Sequence, residues 1–127
     1  MEAAKIKARV EEFRRKGELA PPLLIRLLRE GETSRAVFVG VFATLTDVDE
    51  GLAEKVVDGG DIDALALLCR AAGFERAVFV SLTIALIGSE RRMTKVEEFG
   101  TLYENVPVSA AQRAVRFWKV RASSAAA

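Results

Sequence analysis

The pentapeptide RAVFV occurs twice in this chain of 127 residues, at Arg35–Val39 and again at Arg76–Val80. Its β-branched and aromatic residues favour a strand when propensity alone is considered. Around the first copy, however, apolar residues follow Val37 at i+1, i+4, i+5 and i+8, which is the spacing of a helix. The period therefore predicts a helix at both copies, and parallel strands in an α/β domain are the alternative.

The similarity between the two copies extends well beyond the pentapeptide. A shift of 41 residues places residues 21–46 on residues 62–87, so that Leu24 meets Leu65 and Leu28 meets Cys69. Each copy then consists of a helix, a short turn and a second apolar helix. A period of about 40 residues is typical of HEAT and armadillo repeats, whose helical hairpins stack because one hairpin cannot bury its apolar face alone.

Turn and capping residues divide the rest of the chain into further helices. The predicted helix stops are Gly17, Gly31, residues 58–60 and residues 105–107, with a loop at 89–93. The predicted N-terminal caps are Thr33, Asp47 with Glu50, Asp61, Thr94 with Glu97, and Ser109 with Gln112. The sequence thus predicts an all-α bundle of about eight helices, arranged as HEAT-like or armadillo-like stacked hairpins.

Length and composition are those of one soluble domain. We predict a single helical domain over residues 1–122 and a disordered tail over residues 123–127. The longest uncharged run, residues 77–89, is shorter than the ~20 residues that a spanning helix requires. No signal peptide is recognisable and there is one cysteine, so we expect a cytoplasmic protein without a membrane segment.

The residue types argue against catalysis. The chain has no histidine, which removes the commonest general base and the usual imidazole metal ligand. Cys69 has leucine and alanine neighbours that predict a buried thiol. Counting an EF-hand loop from Asp47 places Leu52 where glycine is required and Asp58 where glutamate is required. We therefore expect a non-enzymatic protein with no cofactor and no metal.

Charge is distributed unevenly although the formal net charge is only +1. Residues 1–16 carry six Lys or Arg against three Glu, and residues 109–127 carry four against no acid. The segment 47–63 carries seven Asp or Glu against Lys55 alone. Such runs commonly form solvated helix faces that match helix dipoles, and they can also form docking sites.

Two groups of charged residues are the candidate partner-binding sites. The basic group is a stripe at intervals of three on the last helix, and the acidic group lies in the segment 47–63 and is predicted to face outward. Their members are Arg113, Arg116 and Lys119 in the basic group, and Asp47, Asp49, Glu50 and Glu54 in the acidic group. The neighbouring Phe117 and Trp118 are expected in the core, whereas a nucleic-acid site would use them for base stacking.

Three segments resemble a known family. LLIRLLREGE, LALLCRAAGFERAVFV and LYENVPVSAAQRAVRFW are similar to the bacterial, mainly alphaproteobacterial, domain of unknown function 2336 family over about residues 18–120. The pair of signatures Cys69–Ala71 and Arg116–Trp118 carries the resemblance. It implies a helical, HEAT-like fold and supplies no activity or catalytic residues.

These observations predict a protein-interaction or regulatory module that recognises a protein partner through an outer helical face. Self-association through the basic and acidic segments is a further possibility. The alternative is a nucleic-acid-binding module that uses both basic ends, for which binding would weaken steeply with added salt. An enzyme with a carboxylate site is the third class, and the absent histidine disfavours it.

Overall fold

The computed structural model describes residues 3–30, 35–87 and 92–126. Within these ranges the chain forms eight α-helices and no strand. In chain order they are α1 (Ala3–Arg15), α2 (Pro21–Glu30), α3 (Arg35–Thr46), α4 (Glu50–Gly59), α5 (Ile62–Ala71), α6 (Arg76–Ile87), α7 (Arg92–Glu104) and α8 (Val108–Ala126). The all-α prediction is confirmed, and the α/β alternative is wrong because both RAVFV segments begin helices.

The internal repeat is visible in the helix boundaries. A shift of 41 residues carries α2 onto α5 and α3 onto α6, with both ends of each helix coinciding. The two copies meet where α2 packs against α6 and α3 packs against α5. The structure therefore confirms the repeated helical pair, while stacking of the HEAT kind stays a prediction.

Helix α3 lies at the centre of the core. Helices α1, α2, α4 and α5 all contact it, and residues 37–43 are buried without interruption. Gly40 permits the close approach of α1, because a Cβ atom built there would lie 2.7 Å from Ile6 Cγ2. Ser81 holds the equivalent position in α6 and is exposed. The two copies share a helical framework and differ in how their second helix is covered.

Several predicted helix boundaries are confirmed. Asp61 caps α5, since its side chain accepts hydrogen bonds from the backbone N–H groups of Asp63 and Ala64. Gly17 and Gly60 adopt positive φ, +72° and +68°, at the ends of α1 and α4, where glycine avoids the strain that a Cβ atom would cause. The break at residues 105–107 separates α7 from α8.

Other predicted caps are wrong. The cap of α4 is Asp49, whose carboxylate accepts a 2.7 Å hydrogen bond from the N–H of Leu52, so Asp47 does not start a capping box. Asp47 instead has a φ of 57° just after α3, and the N–H of Val48 donates to Ala43 O across it. This is the position where a Schellman motif usually has glycine.

The starts of the last two helices also differ from prediction. Helix α8 begins at Val108, with the N–H of Ala111 donating to Pro107 O, so Ser109 lies inside its first turn. Helix α7 begins at Arg92, before the predicted Thr94 cap. Helix α8 extends to Ala126 and includes most of the segment predicted as a tail. The Gly31 stop, the Thr33 cap and residues 89–91 of the predicted loop fall outside the described residues.

Candidate docking surface on the last helix

Helix α8 lies along α5 and is held there by one side of its surface. Ala111 and Val115 are buried, and Trp118 is partly buried against the core. These residues follow one another at spacings of four and three, which places them on one face of a helix. The remaining faces of α8 are available to solvent between Val108 and Arg121.

The outward face of α8 carries large apolar side chains. Phe117 is 59% exposed and Val120 is 64% exposed, and Val108 at the helix start is 41% exposed. No other large apolar side chain among the described residues is this exposed. The expectation that Phe117 belongs to the core is wrong. At 100° per residue, Phe117 lies 200° from the buried Val115 and must point away from α5.

Cations surround this apolar face. The guanidinium of Arg121 lies 5.8 Å from the centroid of the Phe117 ring, and Arg113 is exposed one turn before Phe117. Among the described residues, neither Arg113 nor Arg116 forms an ion pair with an acid. We call the surface formed by Arg113, Phe117, Val120 and Arg121 the outer face.

Two of the three residues in the predicted basic stripe turn toward the body of the protein. Arg116 and Lys119, with Gln112, line an open groove of about 490 Å³ whose other side is formed by residues 45–47 and 71–72. Lys119 Nζ lies 3.5 Å from Asp47 Oδ2. The structure thus brings together Asp47, Arg116 and Lys119, which the sequence assigned to two separate surfaces.

Helix dipoles account for the cations in this groove. It lies at the C-terminal ends of α3 and α5, where backbone carbonyl groups create a partial negative charge. Arg116 and Lys119 stabilise these helix ends, and an anionic ligand would meet carbonyl ends and the Asp47 carboxylate. Because the helix ends and the Asp47 carboxylate already compensate the charge of Arg116 and Lys119, the groove is a weak candidate for an anion site.

The other members of the acidic group lie on or beside α4. Asp49 is its cap, while Glu50 and Glu54 are exposed and line neither this groove nor the next. Asp58, near the end of α4, is in an ion pair with Arg35. Capping and local ion pairing therefore explain part of the acidic segment and leave Glu50 and Glu54 facing solvent.

A second groove borders the outer face on the side of Trp118. It has a volume of about 400 Å³ and is lined by Leu52, Lys55, Val56, Gly59, Asp61, Ala64 and Trp118. Apolar side chains from α4 and α5 form its floor, with Lys55 and Asp61 as its charged groups. We call it the Trp118 groove.

A comparison with protein families matches residues 1–116 to an uncharacterised protein family conserved in bacteria (DUF2336). This match covers most of the 127 residues. The chain belongs to the DUF2336 family. No curated protein and no solved structure gives a significant match.

The first signature of this DUF2336 chain is structural. Cys69 is completely buried, and Arg70 Nε donates a 2.9 Å hydrogen bond to the carbonyl oxygen of Val106 in the turn between α7 and α8. The Arg70 guanidinium also lies 5.3 Å from the centroid of the Tyr103 ring. The Tyr103 hydroxyl donates to the carbonyl oxygen of Phe74. Sequence reasoning missed this network, because no local pattern links residues about 30 positions apart.

Two buried side chains of the DUF2336 chain, Cys69 and Tyr103, favour their protonated forms. Burial raises the pKa of the Cys69 thiol, so the nucleophilic thiolate is strongly disfavoured. Burial also raises the pKa of the Tyr103 hydroxyl. Among the described residues there is no cluster of acids and cysteine able to hold a metal ion. In the same part of the chain, no helix combines the length and apolar character needed to cross a membrane.

Proposed function

We propose that this DUF2336 chain is a non-enzymatic protein-interaction module that recognises a protein partner through the outer face of α8. The observation that carries the proposal is the exposure of Phe117 and Val120, both more than half accessible to solvent. Full burial of a valine or phenylalanine side chain contributes roughly 1.5–3 kcal/mol, and more than half of that contribution is unrealised here because both side chains are more than half exposed. A partner that covers them recovers part of that free energy.

The charge of α8 defines the chemistry of the partner. The outer face carries the cations Arg113 and Arg121 and no acid, so a docking surface with carboxylates around an apolar centre is complementary to it. The two helical pairs would serve as HEAT-like units that hold α8 in place. A single buried thiol suits the reducing conditions of the cytoplasm, where we place the protein.

Nucleic acid is the second candidate, and the exposed ring of Phe117 favours it. An aromatic ring flanked by Arg113 and Arg121 offers a base-stacking platform with cations for phosphate. The other basic end gives less support than its composition suggests. Within α1, Arg9 and Arg14 form ion pairs with Glu12 and Glu11 at 3.2 Å, so much of that positive charge is already neutralised locally.

An affinity capture experiment separates the two candidates. The tagged chain is incubated with lysate of the bacterium that encodes it, at low and moderate salt, with and without nuclease. Wild type is compared with a variant carrying Arg113→Glu and Phe117→Glu, and with Lys7→Glu as a control for an exposed cation on α1. We expect a nuclease-resistant protein partner that is retained by the control and reduced at least tenfold by the α8 variant.

Two results would count against the proposal. Recovery of nucleic acid alone, released by nuclease or by salt, supports the second candidate and removes the first. A protein partner that binds the α8 variant as well as wild type places the docking surface elsewhere on the molecule.

A further inference from the structure

We propose that the surface recognised by the outer face belongs to a second copy of this chain, in a symmetric dimer in which Phe117 of each copy enters the Trp118 groove of the other. The proposal rests on the proposed function, because it assigns a partner to the same face. Three features of the described residues carry it: the shape of the groove, its position beside Phe117, and the charges of the two surfaces.

The Trp118 groove is suited to an aromatic side chain. Its floor is formed by Leu52, Val56 and Ala64, and the indole of Trp118 forms one wall. A volume of about 400 Å³ lies in the range of ~300–1,000 Å³ found for pockets that hold small organic ligands. A phenylalanine ring would lie against apolar carbon and beside the indole, an arrangement that contributes free energy beyond the area buried.

The position of the groove favours exchange between two copies. Trp118 follows Phe117 in the chain and lies 100° from it around α8, so the inserting ring and the receiving groove are neighbours on one surface. A two-fold axis placed between them makes both contacts at once, because in such an interface each patch meets its counterpart in the other copy. The symmetric pair is closed, and neither Phe117 remains exposed.

Charge favours this arrangement over a simple pairing of two α8 helices. The outer face carries Arg113 and Arg121 and no acid, so two outer faces placed against each other would repel. When Phe117 enters the groove, Arg113 and Arg121 approach α4 of the other copy and the turn after it. There Asp61 lines the groove and Glu54 is exposed. Lys55 also lines the groove and offsets Asp61, so the net attraction comes from the exposed acids of α4 outside the groove, such as Glu54.

Sedimentation velocity on the full chain, over about 1–300 µM at low and moderate salt, tests the dimer. Phe117→Glu removes the inserting ring. Gly59→Arg fills the groove, and the structure tolerates it because a Cβ atom at Gly59 meets nothing within 4 Å and the residue does not have positive φ. We expect wild type and the Lys7→Glu control to dimerise. Each groove or ring variant should raise the dissociation constant at least about 30-fold, as loss of an interface hot spot does.

Mixing the two variants tests reciprocity. The Phe117→Glu copy keeps an intact groove and the Gly59→Arg copy keeps an intact ring, so the mixture restores one of the two contacts. We expect the equimolar mixture to associate more tightly than either variant alone. Circular dichroism of each variant confirms that the helices remain folded.

The possible failures are distinguishable. A wild-type chain that stays monomeric at the highest concentration overturns the dimer and leaves the proposed function to the capture experiment. A dimer that neither variant weakens overturns the assigned interface. A dimer weakened by Phe117→Glu but unaffected by Gly59→Arg overturns the exchange into the Trp118 groove.

Discussion

Cys69, Arg70 and Tyr103 show how single residues connect distant parts of the chain. Cys69 lies on α5 and is buried in the protein core. Arg70 connects the same helix to the turn after α7, because its side chain donates a hydrogen bond to the carbonyl oxygen of Val106. Tyr103 connects α7 to the turn between α5 and α6, because its hydroxyl donates a hydrogen bond to the carbonyl oxygen of Phe74 in that turn. A buried carbonyl without this partner would cost about 1–3 kcal/mol.

The burial of Cys69 predicts how stability depends on pH. In the unfolded chain the thiol loses its proton near pH 8.5, whereas burial raises its pKa in the folded protein. Because the folded state retains the proton, this thiol leaves the free energy of unfolding unchanged below about pH 8 and lowers it above pH 9, with a slope that approaches about 1.4 kcal/mol per pH unit. Urea denaturation between pH 7 and pH 10 measures this fall.

The matched variant for this measurement is Cys69→Ala. It loses stability at every pH because a cavity forms, but its free energy of unfolding should fall less steeply between pH 8.5 and pH 10. Tyr103 contributes a similar fall that begins near pH 10, since burial raises its pKa as well. Identical slopes for wild type and Cys69→Ala would contradict the assignment to the thiol.

Helices α3 and α6 differ in what covers them. Both helices begin with RAVFV and occupy equivalent places in the repeat. Helix α3 carries Gly40 beneath α1, whereas α6 carries the exposed Ser81. Glycine is required at position 40 because α1 approaches α3 there, whereas the equivalent position in α6 is exposed and accommodates the side chain of Ser81.

A double-mutant cycle tests the role of Gly40. Gly40→Ala should lower the free energy of unfolding by roughly 1 kcal/mol, because the clash with Ile6 Cγ2 outweighs the ~1 kcal/mol gained in helix propensity. In an Ile6→Ala background the clashing methyl is absent, and the same substitution should become stabilising. Ser81→Ala is the control and should change the free energy by no more than ~0.5 kcal/mol.

Denaturant unfolding of the four members of the cycle and of the control measures these free energies. If Gly40→Ala is stabilising in the wild-type background, α1 does not approach α3 as closely as described. If its effect is the same in both backgrounds, Ile6 is not the neighbour that selects glycine.

The elements also show what sequence could predict. The helical pairs were predictable because the 41-residue shift combines period, turn and composition over 26 positions. Helix caps were less predictable where acids are close together, since Asp47 and Asp49 both suit a cap and only the path of α3 decides between them. The exposure of Phe117 was not predictable from its neighbours, because it depends on which side of α8 meets α5.

The candidate site was predictable only in part. The basic stripe on the last helix was found from its spacing, but Arg116 and Lys119 turn toward two helix ends and only Arg113 belongs to the outer face. The Trp118 groove was not predictable, because it combines α4, α5 and α8, whose packing no local pattern specifies.

Helices α1, α2, α4 and α5 surround α3, and the remaining helices pack mainly against other elements. Helix α5 contacts both α3 and α8, and α6 contacts α2, α5 and α7. Such an arrangement gives different parts of the chain different local stabilities, since opening free energy rises with buried contact.

Native-state hydrogen exchange should reveal this gradient. We expect the amides of residues 37–43 to exchange most slowly, close to the rate of global unfolding, and those of α8 beyond Trp118 to exchange fastest among the helices. Mass spectrometry of peptides from α3, α6 and α8 measures the order. Equal protection of α3 and α8 would contradict the central position of α3.

The lone buried cysteine has a further consequence for kinetics. Cys69 has no exposed surface, and the chain contains no other thiol. A membrane-permeant thiol-alkylating reagent can therefore modify Cys69 only in molecules whose core has opened around α5. When alkylation is faster than reclosing, the labelling rate equals the opening rate, and when alkylation is slower, the rate follows the fraction of molecules whose core is open. Labelling of native Cys69 over a range of reagent concentrations therefore reports the opening of this core, in a test tube or inside a living cell.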